Sequence, residues 1–78
     1  MRMSGGFYRE IVEAIKKGKL TEPFTANDVR KACPGWGVNI YNVFLPKHRK
    51  GNPGNASELF ERINPGEYKC IRPFKYGY

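Results

Sequence analysis

The strongest constraint on the fold is a Pro-Gly turn between two strand-like runs near the C-terminus. Residues 58–63 (ELFERI) and 68–72 (YKCIR) are rich in the aromatic and branched side chains that favour strands. Residues 64–67 (NPGE) separate them, which predicts a β-hairpin with a left-handed Gly66 and a loop somewhat longer than the tightest type. The candidates to face the rest of the protein are Leu59, Ile63, Tyr68 and Cys70.

Upstream of the hairpin, apolar side chains recur at the spacing of a first helix. The stripe predicts a helix from near Ser4 to about Lys17, and Gly18 supplies the stop. Three lysines in or just beyond the last turn suit the negative end of the helix dipole, and this explains them better than phosphate binding does. The members of the stripe are Phe7 or Tyr8, Ile11, Val12 and Ile15.

A short connector and a second helix follow. Residues 20–24 are predicted to be extended, since Pro23 disfavours helix in the residue before it, and Phe24 is expected to anchor in the core or to pair as a minimal strand. Thr25 fits an N-cap, with Asp28 three positions later completing a capping box. The second helix should span about residues 26–33. Its expected inner face is Val29, Ala32 and Cys33, with Arg30 and Lys31 outside.

The segment at 34–50 is the candidate binding region. Residues 34–37 (PGWG) predict a tight turn over which Trp36 packs, so two helices and a turn form a helix-turn-helix pattern. The third helix should begin near residue 38 or 39 and end at Leu45, because Pro46 disfavours helix; a kinked continuation through His48 is the alternative.

Helical spacing divides the side chains of this third helix into two predicted faces. Three apolar residues at i, i+3 and i+4 are expected to be buried: Ile40, Val43 and Phe44. The polar side chains Asn39, Tyr41 and Asn42 should then be exposed, where they are able to hydrogen-bond with base edges. The densest cationic run in the chain, residues 47–50 (KHRK), follows directly and suits phosphates. Residues 51–57 are expected to form a loop.

Composition favours one small basic domain. The 78 residues carry a formal charge of +7, with 14% aromatics, and such domains most often bind nucleic acid, less often an anionic membrane or an acidic protein. We expect one domain over residues 1–78, with an ordered core at about 7–72 and a tail at 73–78 that either packs back or extends. No apolar run reaches the ~20 residues of a membrane span, and no signal-peptide core is present, so a cytoplasmic location is expected, in the nucleoid if DNA is bound.

Catalysis and metal binding are disfavoured by the same inventory. The chain has one histidine, no clustered carboxylates and no nucleophile beside a base, so we expect neither an enzyme nor a cofactor. A zinc site would have to use Cys33, His48 and Cys70, which lack paired-ligand spacing. The two cysteines are expected to be buried thiols, although a disulfide between them stays open.

The segments PFTANDVRKA, NIYNVFL and ELFERINPGEYKC together resemble the winged helix-turn-helix superfamily of DNA-binding domains. The resemblance extends from about Phe7 to Ile71. It implies an α+β fold, a small winged helix in which a three-helix core is followed by a β-hairpin wing. It also implies that the third helix enters the major groove of double-stranded DNA while the wing lies on the backbone, as in a transcriptional regulator.

Carried over by position, the resemblance assigns nine candidate DNA contacts. Those expected near bases are Asn39, Tyr41 and Asn42. Those expected near phosphates are Lys47, His48, Arg49, Lys50, Arg62 and Lys69. Two alternatives remain, because a winged helix also serves as a protein-protein interaction module in a larger assembly, and RNA is a second possible polyanion. The oligomeric state is left open by the sequence.

Overall fold

Three helices followed by a two-stranded antiparallel hairpin make up the fold. The computed structural model describes residues 6–51 and 57–78, and it confirms the predicted α+β architecture of a winged helix. We call the β1–β2 hairpin the wing. The elements are α1 (Gly6–Lys16), α2 (Ala26–Ala32), α3 (Val38–Lys47), β1 (Phe60–Asn64), β2 (Glu67–Cys70) and a final 3-10 turn (Lys75–Gly77).

Helix α1 forms one wall of the core, as its apolar stripe predicts. Phe7, Tyr8, Ile11 and Val12 are all buried. Gly18 ends the helix with a φ of +78°, a left-handed conformation that glycine adopts without steric cost. The predicted start near Ser4 lies outside the described residues.

The connector after α1 joins the helices to the wing. Phe24 is fully buried, and its backbone exchanges two hydrogen bonds of 2.8 Å with that of Tyr68 in β2. The predicted capping box is also present, because Asp28 N–H donates to Thr25 Oγ1 at 3.1 Å and Thr25 N–H donates to Asp28 Oδ2 at 3.0 Å. Both predictions for this segment are therefore confirmed.

Helix α3 buries a different face from the one predicted, and this is the largest difference between the prediction and the structure. Its buried residues are Tyr41 and Leu45, with Phe44 half-buried beside them. Ile40 and Val43, expected in the core, are exposed by 38% and 54%. The set 41, 44 and 45 has the same i, i+3, i+4 spacing as the set 40, 43 and 44, so periodicity alone could not choose between them.

The end of α3 also differs from the prediction. The helix passes through Pro46 and ends at Lys47, with His48 as its C-cap. Proline removes only its own N–H from the helical pattern, and the pattern resumes when His48 N–H donates to the Phe44 carbonyl at 3.1 Å. The alternative prediction, a continuation of the helix through His48, is thus closer to the observed helix than an end at Leu45.

The wing has a tighter turn than predicted. Asn64 pairs with Glu67, so the loop is Pro65-Gly66 alone, and Gly66 has the expected left-handed φ of +76°. A register shift between Arg62 and Asn64 accommodates the extra residue. Ile63 is 43% exposed rather than inward, because Phe60 is the one buried residue of β1 and the strand extends beyond the core after it.

The tail packs back onto α1. Tyr8 lies in ring contact with Tyr76 and Tyr78, at centroid distances of 5.7 and 5.8 Å, and its hydroxyl accepts a hydrogen bond from Lys75 N–H at 2.9 Å. Burial raises the pKa of the Tyr8 phenol, so it remains a neutral donor and acceptor. Of the two possibilities that the sequence left open, the tail therefore packs back rather than extending.

Candidate nucleic-acid interface

The exposed face of α3 carries amide and aliphatic side chains together. Asn39, Asn42 and Val43 are exposed, and four residues of helix place Val43 next to Asn39 on one strip. Ile40 and Phe44 continue the apolar part into a shallow open groove of about 350 Å³. The remaining lining of this α3 groove is Asn39, Lys47 and His48.

Tyr41 is not part of this face, which corrects its assignment as a base contact. The side chain is only 4% exposed, and its hydroxyl donates to the Cys33 carbonyl and accepts from Trp36 N–H at 3.0 Å. Trp36 itself packs on Phe7 at a centroid distance of 4.9 Å, as expected of a residue at the helical junction. Tyr41 therefore fixes the turn between α2 and α3 instead of projecting from the surface.

His48 links the end of α3 to the base of the wing. Its Nδ1 lies 2.9 Å from the Ser57 carbonyl, and its ring contacts Phe44 at a centroid distance of 4.5 Å. Its own carbonyl accepts from the N–H groups of Leu59 and Phe60, at 2.8 and 3.1 Å. The half-buried ring therefore has a structural position, with one edge bordering the α3 groove.

Residues 47–50, the basic run, are held by backbone pairing with β1. Arg49 forms a parallel bridge with Phe60, and Lys50 N–H donates to the Phe60 carbonyl at 2.8 Å. Lys47 and Lys50 are exposed, and neither forms an ion pair with an acidic side chain in residues 6–51 and 57–78. The basic run is therefore fixed in its backbone while these two charges stay open to an anion.

Arg49 is the least exposed cation of the basic run. Its side chain is half-buried, and within the described part of the chain its Nε is buried without a hydrogen-bond partner. Most buried donors are hydrogen-bonded, so the unpaired Nε of Arg49 is an unfavourable feature of the fold.

The wing cations differ in how far they are neutralised. Arg62 is exposed and has no acidic partner among the described side chains, whereas Lys69 Nζ lies 3.8 Å from Glu61 Oε1 across the hairpin. Arg72 donates to both carboxylate oxygens of Glu22, at 2.6 and 3.1 Å, and these hydrogen bonds raise the pKa of its guanidinium.

Glu22 stabilises the fold through contacts that the sequence did not predict. Besides Arg72, it accepts from Cys70 N–H at 2.7 Å and so ties the connector to the end of β2. No local pattern could reveal a contact between residues 48 positions apart. Burial raises the pKa of the nearby Cys70 thiol to about 12, so at neutral pH it is protonated and a poor nucleophile.

The cysteines and the possible metal ligands can also be located in the structure. Cys33 and Cys70 are buried and no disulfide joins them, as expected. No group of three His, Cys, Asp or Glu side chains in residues 6–51 and 57–78 is placed to hold a metal ion. Among the helices described, none has the length and apolar character needed to cross a bilayer.

Comparisons with protein-family models, with curated proteins and with solved structures find no match to this chain.

Proposed function

We propose that the protein binds double-stranded DNA, with α3 in the major groove and the basic run and wing against the backbone. The observation that carries the proposal is the continuity of α3 with the basic run. Exposed Asn39 and Asn42 lie on a helix that leads directly into the open charges of Lys47 and Lys50. Amides able to hydrogen-bond with base edges thus lie beside cations able to bind phosphates.

The dimensions of α3 suit this placement. Ten helical residues are about 15 Å long, and an α-helix fits the major groove, which is about 12 Å wide. Lys47 follows Asn39 and Val43 at intervals of four residues, so the exposed strip of α3 ends in a cation at the groove edge. Arg62 extends the positive surface to the wing.

The winged-helix resemblance and a role in transcription regulation belong to the same proposal. The resemblance rests on the order of elements and on the three segments quoted for it, and the +7 charge would concentrate the protein on nucleoid DNA in the cytoplasm.

The test is a mobility-shift series at low salt with three probes of equal length: duplex DNA, single-stranded DNA and double-stranded RNA. Duplex DNA should bind most tightly, and its affinity should fall linearly on a plot of log affinity against log salt. Tighter binding to either of the other probes would replace the proposal with single-strand or RNA binding. An absence of binding to all three would reject the nucleic-acid function.

A protein-interaction module is the second candidate, favoured by the aliphatic side chains in the α3 groove. Exposed apolar groups in a groove are typical of surfaces that bind a partner helix. The high positive charge favours DNA over this alternative, because a polyanion neutralises all of the cations at once. Failure to bind any nucleic acid in the mobility-shift series would favour the second candidate.

A further inference from the structure

The aliphatic side chains on α3 point to the kind of DNA sequence that this protein prefers. Resting on the proposed DNA binding, we infer that α3 selects A·T base pairs, with Val43 and Ile40 against thymine methyl groups and Asn39 or Asn42 on an adenine edge. Val43 and Ile40 are exposed by 54% and 38%, and both line the α3 groove together with Asn39.

The chemistry of the major groove makes these two side-chain types complementary to one base pair. Adenine presents an N7 acceptor beside an N6 donor, and the amide of asparagine matches both at once. Thymine presents the 5-methyl group, the main apolar group in that groove. A cytosine at the same place offers an amino donor instead, which a valine side chain cannot accept. Amide and aliphatic groups therefore both select A·T over G·C.

The spacing along α3 suits neighbouring base pairs. Residues 39 and 43 are separated by four helical positions, or about 6 Å, close to two base-pair steps of about 3.4 Å each. Asn42 precedes Val43 by one position and lies about 100° from it around the helix. It therefore flanks the strip of Asn39 and Val43 on the side away from Ile40. One amide and one aliphatic group can thus contact adjacent or next-adjacent base pairs within a single groove.

Charge decides between DNA and a protein as the occupant of the α3 groove. Lys47 and His48 border the groove, Lys50 follows, and the chain carries +7 overall. A second copy of this chain would bring like charges together. The occupant must combine high negative charge with small apolar groups, and a duplex that contains thymine has both properties.

The experiment compares duplexes that differ only at the 5-position of the pyrimidine. The probes are alternating A·T duplexes of one length containing either thymine or uracil, and alternating G·C duplexes of that length containing either cytosine or 5-methylcytosine. Wild-type protein should bind the thymine duplex more tightly than the uracil duplex, by about fourfold for each methyl group contacted. It should bind both A·T duplexes more tightly than the unmethylated G·C duplex.

Two variants with the same chemical change locate the contact. Val43→Ala should reduce the preference for thymine over uracil, whereas Val38→Ala should leave it at the wild-type ratio. Val38 is also exposed, by 56%, but it does not line the α3 groove. Both substitutions are at the surface, and matching circular dichroism spectra will show that the fold is intact. Asn39→Ala with Asn42→Ala should reduce the preference for A·T over G·C.

Failure of the inference is distinguishable from failure of the proposed function. Equal affinity of the wild type for the thymine and uracil duplexes, with salt-dependent binding retained, would overturn the inference and leave DNA binding in place. An equally reduced thymine preference in the Val38 and Val43 variants would also overturn it. Absence of binding to all four duplexes would reject both proposals.

Discussion

The basic run and the wing both carry cations, but more of the charge in and just beyond the wing is neutralised by acidic side chains, and Arg62 is the wing cation that stays open. Lys47 and Lys50 in the basic run have no acidic partner among the described residues. In and just beyond the wing, Lys69 faces Glu61 and Arg72 is bound to Glu22. The number of basic residues in a segment therefore does not give the number of phosphates that the segment can bind. The neighbouring acids decide how much of the charge is available.

The largest expected effect comes from removing the open charges of the basic run. Lys47→Ala combined with Lys50→Ala should lower the slope of log affinity against log salt by about 2 units, because each phosphate that is no longer neutralised lowers it by about 0.9. Titrations of one duplex at four or more salt concentrations measure this slope.

The matched control for that pair removes two lysines from another surface. Lys17→Ala combined with Lys19→Ala makes the same change of net charge at the end of α1, where both side chains are exposed. The slope should stay close to that of the wild type. Equal slopes in the two double variants would mean that binding depends on the overall charge of the protein and not on the basic run.

A smaller effect is expected from the wing. Arg62→Ala should lower the salt slope by about 1 unit and weaken all duplex sequences alike, because phosphate contacts carry no sequence information. Lys69→Ala should lower it less, since Glu61 already neutralises part of that charge. Binding titrations of both variants on three unrelated duplexes provide the test. A greater effect of Lys69→Ala than of Arg62→Ala would show that Glu61 releases the lysine on binding.

The turn of the wing should matter for stability rather than for charge. Gly66→Ala places a side chain at a φ of +76° and should cost about 1 kcal/mol of unfolding free energy, although no atom of the described residues, apart from the two chain neighbours, lies within 4 Å of the new Cβ. Gly66→Asn is the control, because asparagine adopts the left-handed conformation more readily than alanine and should cost less stability. Urea unfolding measures both. Equal stability of the two variants would contradict the left-handed turn.

The smallest effect is expected from a variant that leaves the wing lysine unpaired, like the lysines of the basic run. Glu61→Gln removes the acidic partner of Lys69, and the affinity for duplex DNA should rise by up to about fivefold at low salt. The limit follows from the roughly 0.2–1 kcal/mol typical of an exposed ion pair. Isothermal titration at low salt detects such a change. A decrease in affinity would indicate that Glu61 orients Lys69 towards the phosphate instead of competing for it.

Local signals predicted the parts of this fold that local interactions stabilise. The stripe of α1, the Thr25 capping box and the left-handed Gly66 each depend on residues within a few positions of one another. The facing of α3 was not predictable in this way, because two overlapping apolar sets satisfied one period. Non-local contacts distinguish them, among them the packing of Tyr41 on Phe7 and the hydrogen bonds of Tyr41 to the preceding turn.

For the candidate site, the sequence predicted which side chains are accessible better than it predicted their contacts within the fold. Eight of the nine proposed contacts remain at least partly accessible, and Tyr41 is the exception. The pairing of the basic run with β1 connects segments on either side of residues 51–57, so no periodic pattern contains it. The neutralisation of Arg72 by Glu22 is non-local for the same reason.

The backbone bridge between Arg49 and Phe60 affects the entropy of binding. Ordering a free backbone costs about 1–2 kcal/mol per residue, and at Arg49 and Lys50 that freedom is already removed when the chain folds. A ligand then has to immobilise only their side chains. The same bridge should make the amide hydrogen of Lys50 exchange with solvent as slowly as those inside the wing, so that hydrogen exchange would report the two segments as one cooperative unit.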